Sequence, residues 1–191
     1  LTTQRFKTLL QGNVDAIYFN EKLYIGKREE VFVYNESTGN FDLYYHLAGK
    51  DITLSCLHLD EKKNLWMGTT SNGLYCLSGD KKISQPVTRG NIASIYEDSS
   101  KELWICTWEE GLYRIKTDST IENFRHDPKN PNSICADFVR SCCEDNAGNL
   151  WIGTFHGLNR YEKSTGKFQL YTANANKPDG LTHSSIWCIV K

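Results

Sequence analysis

Two short runs combine aromatic and planar polar side chains outside any apolar stretch: Trp108-Glu109-Glu110 and Phe155-His156. A third, Lys27-Arg28-Glu29, is wholly charged. A flat indole or phenyl face suits the C–H groups of a sugar ring, while guanidinium, carboxylate and imidazole groups suit its hydroxyls. Lys27 and Arg28 would also suit an acidic glycan. The candidate ligand-binding residues are therefore Trp108, Arg28, Phe155, His156 and Glu109. Trp108 ranks first because no packing pattern accounts for it. Polar residues of further loops, among them Thr70, Asn72, His126, Asp127, Asn130, Asn174 and Asp179, could supplement them. Loop side chains of these types are also commonly just solvated.

Other chemistries fit poorly. A glycosidase needs two carboxylates about 5–10 Å apart across the scissile bond, and Glu109 and Glu110 are neighbours on one loop. The seven arginines are scattered. The five histidines (His46, His58, His126, His156 and His183) lack ligand spacing, and Cys142 and Cys143 must point to opposite faces of a strand. Neither a nucleophile elbow nor a phosphate-binding loop is present. The expectation is no catalytic residue, no metal and no cofactor. Seven cysteines cannot all pair within the chain, and most lie in apolar runs, where a thiol behaves as a small hydrophobe. Lys and Arg number 22 against 23 Asp and Glu, without a basic block, so no nucleic-acid contact is expected. No apolar stretch is long enough to span a bilayer as a helix, and the first residues lack the layout of a secretory signal.

The loops must be held by something, and the chain supplies a repeat. Asn64-Leu65-Trp66-Met67-Gly68-Thr69 followed by Gly73-Leu74-Tyr75, Glu102-Leu103-Trp104-Ile105-Cys106-Thr107 followed by Gly111-Leu112-Tyr113, and Asn149-Leu150-Trp151-Ile152-Gly153-Thr154 followed by Gly157-Leu158 align without gaps in their first halves. A weaker copy, Leu23-Tyr24-Ile25-Gly26, precedes them. The anchors Tyr24, Trp66, Trp104 and Trp151 stand 42, 38 and 47 residues apart. That period, with short apolar runs bounded by turn residues and no 3.6-residue stripe, predicts four-stranded propeller blades. The anchors, with Gly68, Gly153, Gly73, Gly111 and Gly157, are expected to be structural, the indoles covering the adjoining blade and the glycine two residues on leaving room for it.

In each unit an inner strand precedes the anchor (Val14–Phe19, Ile52–Leu59, Ile92–Tyr96, Phe138–Cys143). The anchor strand and the Gly-Leu strand follow, then a more polar outer strand (Phe41–Tyr45, Gln85–Thr88, Ile121–Arg125, Phe168–Tyr171). Asp145-Asn146-Ala147-Gly148 reads as the hairpin between the first two strands of the last unit. Lys63 and Lys101 replace that glycine in other copies, which implies another turn or some strain. The fold class is all-β, a β-propeller fragment of four four-stranded antiparallel blades with partial blades at both ends. Its parts are 1–12 (outer strand of a preceding blade), 13–50, 51–90, 91–133 and 134–181 (blades one to four) and 182–191 (inner strand of a following blade). Unfilled ends of this kind predict pairing between copies unless further blades of a parent ring occupy them.

The run from Asp145 to Tyr161, with the flanking Asp127–Ile134 and Thr165–Tyr171, closely resembles the two-component regulator propeller repeat. The likeness is strong in blades two to four and weak in the first. It implies the periplasmic sensor part of a hybrid two-component system of the Bacteroides type. The ligand there would be an oligosaccharide, and the remaining blades, a membrane helix and a histidine kinase controlling polysaccharide-utilisation genes would lie elsewhere in a parent chain. Apart from the resemblance, a homodimer would serve as the signalling unit if a ligand favoured one arrangement of two copies. The chain holds no kinase, receiver or DNA-binding segment. The Asp145-x-x-Gly148-x-x-Trp151 spacing is also similar to the Asp-box of sialidases, so a propeller glycosidase is one alternative. A protein-interaction propeller without a small ligand is the other.

Overall fold

The computed structural model describes residues 15–49, 51–80, 82–85, 87–174 and 180–190. They form sixteen strands and no helix, arranged as four antiparallel four-stranded meanders. The chain divides into two compact units, residues 1–89 and 90–191. The first unit holds β1 (Ala16–Asn20), β2 (Lys22–Lys27), β3 (Glu30–Asn35) and β4 (Asn40–His46), then β5 (Leu54–Leu59), β6 (Leu65–Thr69), β7 (Leu74–Leu77) and β8 (Ile83–Ser84). The second holds β9 (Ile92–Glu97), β10 (Leu103–Thr107), β11 (Leu112–Ile115) and β12 (Ile121–Phe124), then β13 (Val139–Glu144), β14 (Leu150–Thr154), β15 (Gly157–Glu162) and β16 (Lys167–Tyr171). Each sheet is a blade, and the all-β propeller-fragment fold read from the repeat is the fold observed.

Within each unit the two blades share one apolar core. In the first, Tyr24 and Val31 pack with Leu57, Leu59, Leu65 and Met67 of the next blade. In the second, Trp104 and Cys106 pack with Val139, Cys142, Ile152 and Tyr161. Trp104 is fully buried, its ring 5.5 Å from Tyr161 and 5.9 Å from Phe124. It covers the adjoining blade as expected, a burial worth about 3 kcal/mol. The small residue two positions on lets the blades close. A Cβ on Gly153 would sit 2.7 Å from Ile186 Cγ2. Cys106 fills the same place and reaches Cys142, Sγ to Sγ 3.7 Å. That contact and burial push the Cys142 thiol well up. All seven cysteines are free thiols.

A bond not read from the sequence fixes each tryptophan anchor. The indole N–H of Trp66, Trp104 and Trp151 donates to Asp60, Asp98 and Asp145, 2.8 Å in every case. The same carboxylates accept the backbone N–H of Asn64, Glu102 and Asn149. Each Asp thus ties the hairpin turn to the ring six residues later. The three turns share one geometry: Lys63, Lys101 and Gly148 all have positive φ (64°, 65° and 81°), and each N–H returns to the Asp carbonyl. The lysine copies therefore keep the glycine turn and accept its strain, about 1–2 kcal/mol for a side chain in the left-handed region. Lys63→Gly is expected to raise stability by about 0.5–1 kcal/mol, the strain relief less the added freedom of the unfolded chain. A urea midpoint that stays put or falls would show that the lysine is unstrained.

Two expected strands differ. The outer strand of the second blade is two residues long, at Ile83–Ser84 rather than Gln85–Thr88. Pro86 within that run offers no N–H to a ladder, and the Gln85 side-chain amide is bonded to the Asn72 carbonyl instead. The inner strand expected at 182–191 is not a strand among residues 182–190. A strand requires a ladder partner, and this segment makes isolated bonds, Ile186 N–H to the Thr154 carbonyl and Ile189 N–H to Ser141 Oγ. The outer strand expected at 1–12 lies outside the described residues.

Candidate functional site

The loop between the second and third strands of a blade is built from two residues that flank it. Thr107 and Thr154, both fully buried, donate their hydroxyls to the carbonyls of Gly111 (2.7 Å) and Gly157 (2.8 Å). They also accept the N–H of Glu110 and His156. Each hydroxyl therefore closes a tight turn from inside, and the residues between are pushed outward. Those residues are Trp108, Glu109, Phe155 and His156. Thr69 and Gly73 repeat the device in the second blade. Gly111 N–H then bonds the Asp137 carbonyl of the next blade at 2.9 Å, so the Trp108 loop is held by both blades of its unit.

The structure brings Trp108 and Phe155 together through Phe138. Ring centroids are 4.8 Å apart for Trp108–Phe138 and 5.6 Å for Phe138–Phe155. His156 packs edge-on to Phe155 at 5.5 Å. Trp108 and Phe155 remain 38% and 48% exposed. Glu109 is exposed on the Trp108 turn. Glu110 beside it accepts a hydrogen bond from the Tyr113 hydroxyl at 2.8 Å. Arg28 lies in the other compact unit. Its side chain is exposed, its φ is 52°, and its N–H bonds Asp15 Oδ2 at 2.6 Å.

Three members of the cluster, Phe138, Arg140 and Trp187, were missed as site residues in the sequence. Arg140 places its guanidinium carbon 5.3 Å from the Trp108 centroid, 5.1 Å from Phe138 and 3.3 Å from Trp187. Trp187 is 67% exposed. The inner strand β13 is bulged here: Val139 faces Thr154 and Ser141 faces Gly153, leaving Arg140 as the extra residue. A bulge re-aims its side chain out of the packed face. The same shift occurs in β5 and β9, where the extra residue is Ser55 or Ala93. Trp187 follows Ile186 as Arg140 follows Val139, which is the signal that aligning the inner strands would have shown.

No group of three or more His, Cys, Asp or Glu able to hold a metal occurs among the described residues. A different charged cluster sits between the two blades of the second unit. Lys163 Nζ reaches Asp98 Oδ2 (2.8 Å) and Glu144 Oε1 (2.5 Å), both carboxylates being buried. It is structural, carrying no open face for a ligand.

Residues 133–156 match the family described as two component regulator propeller. No curated protein matches the chain. Among solved structures, the extracellular domain of a putative hybrid two component system from B. thetaiotaomicron is similar at 26% identity and a TM-score of 0.64, over 81% of this chain and 21% of that one. The extracellular domain of a putative one component system from the same organism is similar at 19% identity and a TM-score of 0.64, over 93% and 31%. A catalytically inactive virginiamycin B lyase from Staphylococcus aureus, solved with quinupristin, is similar at 16% identity and a TM-score of 0.66, over 85% and 56%. The chain thus spans between about a fifth and three fifths of the length of these three structures.

Proposed function

From a chain that carries the two-component regulator propeller repeat, we propose a ligand-sensing, non-catalytic segment of a periplasmic sensor domain, with an oligosaccharide as its ligand. The observation that carries the reading is the aromatic ledge in which Trp108 and Phe155, exposed on turns that a buried threonine locks from within, flank the half-buried Phe138. Partly exposed rings in tilted and edge-on contact on loops are a binding surface more than a reaction centre. The similarity to a sensor ectodomain supports the same reading. The parent chain would place a membrane helix and a histidine kinase beyond this segment. Binding would act by favouring one arrangement of two sensors over another, and transcription of polysaccharide-utilisation genes would be the output.

Titrating the intact ectodomain with a panel of oligosaccharides tests this. Saturable binding without product release is expected. Trp108→Ala should weaken it about tenfold or more, with the fold unchanged, since losing one stacked ring forfeits an interaction of about 1–2 kcal/mol. Turnover of the glycan would indicate an enzyme, as with the lyase of similar fold. A protein captured in place of any sugar would indicate an interaction propeller.

A further inference from the structure

We infer that the ledge selects an anionic sugar, with a carboxylate of a uronic acid unit bound by Arg140. This rests on the oligosaccharide reading above and narrows it. Arg140 is a cation without a counter-ion: no carboxylate among the described residues pairs with it, and its Nε is buried with no hydrogen-bond partner. Two arginines of the same unit are matched, Arg114 with Glu102 and Glu122, and Arg125 with Asp137, while Arg160 donates to the Asn149 amide oxygen. A guanidinium held against Phe138, Trp108 and Trp187 is partly stripped of water and stiffened by its neighbours. Such a group gains most from a planar anion that takes two parallel N–H bonds.

The backbone supports a built site rather than a stray contact. The bulge that turns Arg140 out of β13 is repeated in two other inner strands, but their re-aimed residues, Ser55 and Ala93, carry no charge. Only in this blade does the bulge deliver a cation, and it does so beside the most open rings. The ledge offers ring faces to the pyranose, and Arg140 stands at its edge for the substituent on C5. Glu109 and Glu110 close to Trp108 leave the neutral hydroxyls something to donate to, and they disfavour an anion placed at that end instead. The orientation follows: carboxylate toward β13, ring face toward Trp108 or Phe155.

The test is a matched pair of ligands on the intact ectodomain. Oligogalacturonates and hyaluronan oligosaccharides are compared by calorimetry with their methyl esters, which keep the shape and lose the charge, and with neutral cello- and malto-oligosaccharides. The acids are expected to bind about tenfold to hundredfold more tightly than their esters, the range for a charge-assisted bond to a carboxylate, and the gap should shrink as salt is raised. Arg140→Met should abolish the gap, bringing the acid-to-ester affinity ratio to about one. Arg140→Lys, which keeps the charge without the fork, should retain part of it. If Met at this position unfolds the protein, the acid-to-ester ratio on the unaltered protein still decides. Equal binding of acid and ester, or binding of neutral glycans only, overturns the inference and leaves the oligosaccharide reading intact. Binding of no glycan at all overturns both.

Discussion

Replacing Lys163 with methionine is expected to cost about 3–5 kcal/mol at neutral pH and to reverse the acid dependence of stability at that site. Lys163 lies in the turn after β15, yet its amine sits between Asp98, at the end of β9, and Glu144, at the end of β13. Asp98 and Glu144 are 2% and 4% exposed. Burial pushes both carboxyls up, but the bonds they receive outweigh it. Lys163, Trp104 and the Glu102 N–H at Asp98, with Lys163 and Ser99 at Glu144, hold both below their ordinary values. Burial pulls Lys163 down, and the two carboxylates lift it above its ordinary value on balance. Lowered carboxyl values stabilise the fold above about pH 4, and that contribution is lost as pH falls through the folded values. The raised lysine contributes below about pH 10 and loses its share as pH rises through its folded value. Between these limits the three charges clamp the two blades of the second unit together.

Without the amine, two buried carboxylates held until then by one nitrogen face each other in a poor solvent. Removing one partner of a buried ionic cluster costs about 3–5 kcal/mol because the remainder is left uncompensated. The carboxyl values must then rise, so the folded state binds more protons than the unfolded one, and acidification now helps. Urea unfolding at pH 7 and pH 5 should therefore show the deficit of Lys163→Met narrowing at the lower pH. A deficit below about 1 kcal/mol, or one equal at both values, would mean the clamp carries little.

That clamp also shows where sequence reasoning stops. The turn at Gly148 is visible within a dozen residues, the anchor period and strand order over repeats of 38–47 residues, and the sheets follow these patterns closely. The Asp–Trp bond is nearly local: Asp60, Asp98 and Asp145 each precede a tryptophan by six. Yet its purpose depends on the hairpin bringing the two together, and only the last copy was noticed. Lys163 and Asp98 are 65 residues apart, and no spacing rule connects them. The candidate site divides the same way. Trp108, Phe155 and His156 stand on loops that the repeat itself delimits, so residue type sufficed to select them. Arg140 lies inside an inner strand, where a charged residue reads as an exception to packing. It becomes meaningful only once the bulge is known, and a bulge is a property of two strands in register rather than of one. Arg28 had the right chemistry but belongs to the other unit.

The second large effect separates strain from collision. Gly111 and Gly148 have nearly the same backbone, φ 77° and 81°, but different surroundings. A Cβ at Gly148 meets nothing within 4 Å, whereas at Gly111 it would overlap the Phe124 carbonyl oxygen at the end of β12. Gly148→Ala should thus cost only the left-handed backbone penalty, about 1–2 kcal/mol. Gly111→Ala adds an overlap with backbone that no side-chain rotation can relieve. An overpacked site of that kind adds about 1–3 kcal/mol, for a total of about 2–5 kcal/mol. The strand must move, and the movement travels along known bonds. The Gly111 carbonyl holds the Thr107 hydroxyl, and its N–H holds the Asp137 carbonyl of the next blade, one residue before Phe138. Trp108 and Phe138, the centre of the ledge, are both anchored to that one glycine. Gly111→Ala should therefore weaken glycan binding by at least as much as Trp108→Ala, even under conditions where the protein remains folded, while Gly148→Ala should leave binding unchanged. Chemical unfolding and calorimetry on the two variants in parallel would decide it. Equal stability losses, or a ledge that binds normally in the Gly111 variant, would show that strands β11 and β12 do not approach as closely as the structure has them.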